Sequence, residues 1–177
     1  MGSFRFRVHS MYRHTSSFLR AVLIWLTAGM VLTLAACSNQ AAPKISFTDI
    51  KGHTISLEQL KGKVVMVNFW ATSCTTCVGE MPDMIKTYDK YHAKGLEYVA
   101  VAMSYDPPNY VLNFTETRKL PFNVALDLDG KLAQQFGEVK LTPTTFVIDK
   151  QGMIIKKYVG APEFNELHHL LDTQLGA

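Results

Sequence analysis

The stretch Val64-Val65-Met66-Val67-Asn68-Phe69-Trp70-Ala71-Thr72-Ser73-Cys74-Thr75-Thr76-Cys77 decides how this chain folds. It opens as an almost unbroken apolar run, the pattern of a strand covered on both faces. Beyond it Val78, Met81, Ile85 and Tyr88 recur at helical spacing, with polar residues between them. Cys74 and Cys77 therefore fall where a buried strand ends and a helix begins. The first turn of a helix offers unpaired N–H groups and the positive end of its dipole, and both favour a thiolate over a thiol. Only the thiolate attacks a disulfide, so Cys74 is the expected nucleophile. Cys77, one turn further in, is placed to resolve the mixed disulfide. The pattern predicts a dithiol redox site.

Working outward, the helix after the cysteines should run to about Lys94 and stop at Gly95, with a kink at Pro82. Leu96–Met103 reads as a second buried strand, and strand–helix–strand implies a parallel right-handed crossover. Upstream, 44–49 and 53–56 read as short strands joined by a turn at Lys51-Gly52, and Leu57–Leu60 as one helical turn. Downstream, Tyr110–Arg118 looks helical after Pro107-Pro108. Phe122–Leu126 is a short strand, and Lys131–Phe136 a helix capped by Gly137. Thr144–Ile148 and Met153–Val159 flank a turn at 149–152 and predict a hairpin, which makes the sheet mixed. Pro162–Leu175 should close the chain as a helix with Phe164, Leu167, Leu170 and Leu171 on one face.

The first part of the 177-residue chain reads differently. Residues 1–36 hold four arginines and no acid, and 21–36 are an uncharged apolar run. A basic region, an apolar region and small residues before a break make an export signal. The run is short for a membrane span, although an uncleaved anchor helix is the alternative reading. Leu34-Ala35-Ala36-Cys37 resembles the bacterial lipobox, in which the cysteine is lipidated and becomes the first mature residue. The expected organisation is thus a signal peptide over 1–36, lipidated Cys37 with a short linker to residue 43, and one domain over 44–177. The net charge of +3 falls to about −1 once the leader's four arginines are removed. No basic cluster with interleaved aromatics remains, so nucleic-acid binding is not indicated. The lipobox would consume Cys37, leaving one close cysteine pair and no disulfide framework.

The strings VVMVNFWATSCTTC, CVGEMP, DLDGKLAQQFG and LTPTTFVIDKQG resemble the TlpA/ResA family of membrane-tethered, extracytoplasmic thiol–disulfide oxidoreductases. The likeness runs from about Ile45 to the C-terminus. It implies a thioredoxin-like α/β fold, a central mixed sheet with helices on both faces. It also implies an exposed nucleophile at Cys74, a buried resolving thiol at Cys77, and Trp70 packed beside the disulfide, where it counts with Thr142 and Pro143 among the expected substrate-binding residues. Thr142-Pro143 matches the family's cis-proline loop, which pairs with substrate backbone. Glu80 matches an acid close to the dithiol. Asn68 falls where cytoplasmic thioredoxin has a buried aspartate, and since an amide cannot shuttle that proton, the acid–base role toward Cys77 passes to Glu80. The chain departs from the family at Ser73, usually a bulky aromatic, and at Thr76, usually proline. Both positions tune the reduction potential.

Other readings compete with this one. Half of a zinc site lacks a second ligand pair, and Val78 after Cys77 excludes c-type haem attachment. A peroxidase of this fold carries threonine where Ala71 stands. Related copper carriers space their cysteines by three residues and add a histidine, whereas this pair is spaced by two. Glu80 also fits an ordinary first-turn acid. His168 and His169 are adjacent on a helix and point different ways, and Met81 and Met84 suit a core better than copper. The expected activity is reduction of disulfides in exported proteins, such as apocytochrome c or copper-site cysteines. It would need no cofactor beyond the Cys74–Cys77 disulfide, and electrons would come from a membrane thiol–disulfide donor, since no nucleotide motif is present. The expected location is the periplasmic side of a membrane, as a lipoprotein. An oxidant or isomerase, or a copper metallochaperone, are the alternatives.

Overall fold

A computed structural model describes residues 40–176. The leader, Cys37 and Ser38 lie outside them, and with them the export and lipidation expectations. The strands are Gln40–Ala41 (β1), Ser46–Thr48 (β2), Thr54–Ser56 (β3), Val64–Trp70 (β4), Leu96–Ala102 (β5), Asn123–Leu126 (β6), Thr144–Ile148 (β7) and Met153–Val159 (β8). The helices are Thr75–Tyr91 (α1), Pro108–Arg118 (α2), Lys131–Gln135 (α3) and Phe164–Leu175 (α4).

β4 is buried along its whole length. Its alternate residues serve opposite faces, as the pleat requires. Val64, Met66 and Trp70 enter one apolar cluster, and Val65, Val67 and Phe69 enter the other. β5 pairs parallel to β4 and β6 parallel to β5, while β7 and β8 form the expected hairpin with β7 antiparallel to β4. The order is β1-β8-β7-β4-β5-β6, a mixed sheet, and β2–β3 make a separate two-stranded sheet.

Helices cover both faces. On one, α1 contributes Cys77, Met81, Met84, Tyr88 and Tyr91, α2 contributes Val111, and α4 contributes Leu167 and Leu171. Met81 and Met84 are thus core residues. On the other face, Phe47 of β2 and Ala133 of α3 pack with Phe136 and Phe146, and Phe69 meets the Phe136 ring at 5.3 Å.

Several boundaries differ from expectation. The segment read as linker carries β1, because Gln40 and Ala41 add backbone hydrogen bonds to the edge of β8. Leu57–Leu60 forms turns in place of a helix, with Leu60 N–H to Leu57 C=O at 3.2 Å and Lys63 N–H to Leu60 C=O at 3.0 Å. α2 starts two residues early, at Pro108, since a proline at the first helical position loses no needed donor. α1 runs through Pro82 without a break, and a short 3₁₀ turn, His92–Lys94, carries the chain to Gly95. Gly95 takes φ 102°, a left-handed conformation that glycine adopts without steric penalty.

Candidate active site

The backbone brings Cys74 to its place in two steps. Met103 N–H donates to Trp70 C=O at 2.9 Å, tying the end of β4 to β5. Cys74 N–H donates to Ala71 C=O at 3.1 Å, turning the chain into the helix. Cys74 is the N-cap of α1, extended at φ −89° and ψ 106°. Its Sγ accepts the Cys77 N–H at 3.2 Å, the bond a capping side chain makes to satisfy an open amide. The same amide would stabilise negative charge on that sulfur after reduction. Cys74 and Cys77 are joined as a disulfide with Cα atoms 5.2 Å apart. Cys74 is half-buried and Cys77 fully buried, the asymmetry expected of nucleophile and resolving thiol.

Glu80 lies one turn beyond Cys77 and is 5% exposed. Burial raises its carboxyl to about 7, and the Asn68 hydrogen bond pulls in the opposite direction. Asn68 Nδ2 donates to Glu80 Oε1 at 3.2 Å and to Thr145 Oγ1 at 2.8 Å. The first turn of α1 carries no acid, so Glu80 is not the first-turn acid the sequence also allowed, and it faces the buried side of β4.

The loop after residue 140 closes over the disulfide. Thr142-Pro143 is a cis peptide, and the Thr142 carbonyl oxygen lies 3.5 Å from Cys74 Sγ. Pro143 C=O accepts from Gly160 N–H at 2.8 Å. Pro143 is buried and Thr142 half-buried. Trp70 sits in the same apolar cluster as Cys77 and against Phe114 at 5.1 Å. Its expected substrate contact needs correction. With 0% exposure, the indole cannot touch a partner in this state, and its place is in the packing under the dithiol.

A matching family profile spans residues 37–171 and is described as Redoxin. The chain belongs to the Redoxin family. Within it, the thiol-disulfide oxidoreductase ResA of Bacillus thuringiensis subsp. konkukian is 38% identical over 133 residues, 75% of this chain and 76% of that protein. A thioredoxin-family thiol:disulfide interchange protein from Chlorobium tepidum superposes with TM-score 0.72 at 28% identity, covering 80% of this chain and 100% of that one. The exposed lipoprotein thioredoxin of Streptococcus pneumoniae gives 0.64 at 25% identity, covering 73% and 98%. The fold is thioredoxin-like, and this Redoxin-family chain is a thiol–disulfide oxidoreductase similar to ResA.

Two residues bordering the dithiol carry no sequence signal. Asp106, 5% exposed in the β5–α2 loop, accepts from both Thr72 N–H and Thr72 Oγ1 at 2.6 Å. That bidentate grip fixes the residue two before Cys74. Tyr105, 58% exposed, places its hydroxyl 3.2 Å from Thr142 Oγ1 and so borders the same loop. His168 bonds Thr87 across α1 and α4 at 2.9 Å, and His169 is exposed. Among the described residues, no three His, Cys, Asp or Glu side chains cluster as metal ligands.

Proposed function

We propose that this chain is an exported, lipid-tethered reductant that opens disulfides in other exported proteins. The observation that carries the reading is the pairing of a half-exposed Cys74 at the helix cap with a fully buried Cys77, beside a carboxyl held near neutrality. In the reduced protein, Cys74 thiolate attacks one sulfur of the substrate disulfide. An S–S bond forms to Cys74, the substrate S–S bond breaks, and one substrate thiolate leaves. Cys77 then gives its proton to Glu80 and attacks Cys74 Sγ. The Cys74–Cys77 bond closes and the second substrate thiolate departs. Two electrons have moved to the substrate, and a donor dithiol must restore them. Near pH 7 a carboxyl with such a value accepts and returns protons readily. Thr142 makes no backbone-to-backbone hydrogen bond among the described residues, which suits pairing with an extended substrate segment.

The tether rests on the export signal and on Leu34-Ala35-Ala36-Cys37, with signal peptide 1–36 removed and Cys37 lipidated. The pneumococcal relative described as a lipoprotein supports it. Suitable substrates are exported proteins whose paired cysteines must be free to bind haem or copper. Trapping tests the chemistry. Reduced Cys77→Ser should accumulate a mixed disulfide with a disulfide-bearing protein, and Cys74→Ser should form none. Equal trapping by both variants would overturn the assignment of nucleophile. The direction of electron flow follows from the reduction potential. A value toward about −270 mV marks a reductant, and one toward about −120 mV marks a disulfide donor.

A further inference from the structure

The buried amide of Asn68 lies between two strands and the active-site helix, and its two protons go to different places. One reaches Glu80 Oε1 on α1 at 3.2 Å, and the other reaches Thr145 Oγ1 on β7 at 2.8 Å. Asn68 and Thr145 are both fully buried and face each other in the β4–β7 register. We propose that Thr145 is a positioning residue for Glu80: by accepting one proton of the Asn68 amide, its hydroxyl keeps the other aimed at the carboxylate.

Counting partners shows why the hydroxyl matters. In the observed orientation both N–H bonds of the Asn68 amide are satisfied, and of its polar atoms Oδ1 alone lacks a partner among the described residues. Turned over, the amide would offer Oδ1 to Glu80 and Thr145 and leave two N–H bonds where Oδ1 now lies. Buried unsatisfied donors are costly, so the observed orientation wins while Thr145 accepts. Take the hydroxyl away and the observed orientation also strands an N–H, which narrows the difference. The two orientations serve different forms of Glu80. An N–H favours the carboxylate, whereas an amide oxygen favours the protonated acid, which can donate to it. Thr145 thereby biases Glu80 toward the form that can take the Cys77 proton. The inference rests on the role given to Glu80 above.

Few other groups can set this equilibrium. From α1 the neighbour one turn away is Cys77, and from β5 it is Tyr98, fully buried and held well above its ordinary value by burial, with the Glu80 charge adding to the rise. β8 contributes Tyr158 to the same cluster, and α2 contributes Val111 and Phe114. On α4, Glu166 pairs with Lys156, while His168 and Asp172 bond Thr87 and Tyr91 further along α1. Glu80 Oε2 has no partner among the described residues, so the Asn68 contact is its one side-chain hydrogen bond there.

The test reads Glu80 directly. The full chain in detergent micelles, oxidised and labelled with carboxyl-¹³C glutamate, is titrated by NMR, and Glu80→Gln identifies the signal. Wild type should titrate near 7. Thr145→Val should raise the proton affinity of Glu80 about tenfold, a shift of about one pH unit. Thr145→Ala should do the same should valine fail to fold, and Thr145→Ser should restore the wild-type midpoint. An unchanged midpoint in both hydroxyl-free variants overturns the proposal, as does a serine variant that shifts with them. Wild-type exchange rates in Glu80→Gln would instead sink the role of Glu80, whatever the midpoints show.

Discussion

Burial lifts the Glu80 carboxyl to about 7 from its ordinary 4.5, with the Asn68 hydrogen bond opposing the rise. Between those values the folded protein holds a proton that the unfolded chain has released. Where the folded state binds more protons, stability falls as pH rises, so the loss begins near 4.5 and is complete a little above 7. At 1.36 kcal/mol per pH unit it reaches about 3 kcal/mol. Glu80→Gln keeps the shape and carries no charge. It should therefore exceed wild type in stability by about 3 kcal/mol at pH 8 and match it near pH 4. Urea unfolding at the two pH values checks this, and a variant with the same advantage at both would remove burial of charge as the cause. Slower thiol–disulfide exchange in the same variant would show why a destabilising acid is kept at this position.

At the scale of elements, the dithiol depends on two supports of different kinds. Asp106 holds Thr72, and through it the turn that presents Cys74, while Leu171 anchors α4 on the sheet. Asp106→Ala leaves a main-chain N–H and a hydroxyl without their acceptor, a loss of about 1–3 kcal/mol. Leu171→Ala empties a fully buried site, a loss of about 2–5 kcal/mol. The two should separate in function. Exchange by the folded protein should slow in Asp106→Ala and stay at the wild-type rate in Leu171→Ala, with unfolding curves recording both losses. Equal rates would mean that the Thr72 grip does not position the sulfur. The contrast also marks what the chain reveals before it is folded. β4, α1 and the β7–β8 hairpin are legible because local patterns specify them: an apolar run, helical spacing, and a turn between β-branched stretches. Cys74, Cys77, Glu80 and Thr142-Pro143 are legible because they sit in compact motifs. Asp106 and Thr145 are not, since their partners lie 34 and 77 residues away and only the sheet brings them together. β1 is silent for another reason. Two residues, one of them glutamine, carry no periodicity, and their pairing comes from the open edge of β8.

The charge of the whole molecule divides at the proposed processing site. Four arginines lie in residues 1–36, and the remainder is close to neutral at about −1. A near-neutral domain has little electrostatic attraction for an anionic membrane surface, where each basic residue contributes about 1 kcal/mol. Among the described residues no helix is long and apolar enough to cross a membrane. The attachment proposed above lies upstream of them, at Cys37, whose thiol is the group that would carry the lipid. One acyl chain gives only marginal binding, whereas two or more anchor stably, as the lipobox modification would supply. Cys37→Ala should therefore abolish incorporation of labelled palmitate and move the protein out of the washed membrane fraction. Its thiol–disulfide exchange in solution should stay at the wild-type rate, because Cys74 and Cys77 alone form the redox pair. Retention of Cys37→Ala in membranes with its leader intact would point to an uncleaved apolar segment as the anchor. Loss of exchange together with loss of lipid would mean that Cys37 takes part in the chemistry, and the division between tether and catalyst would fall.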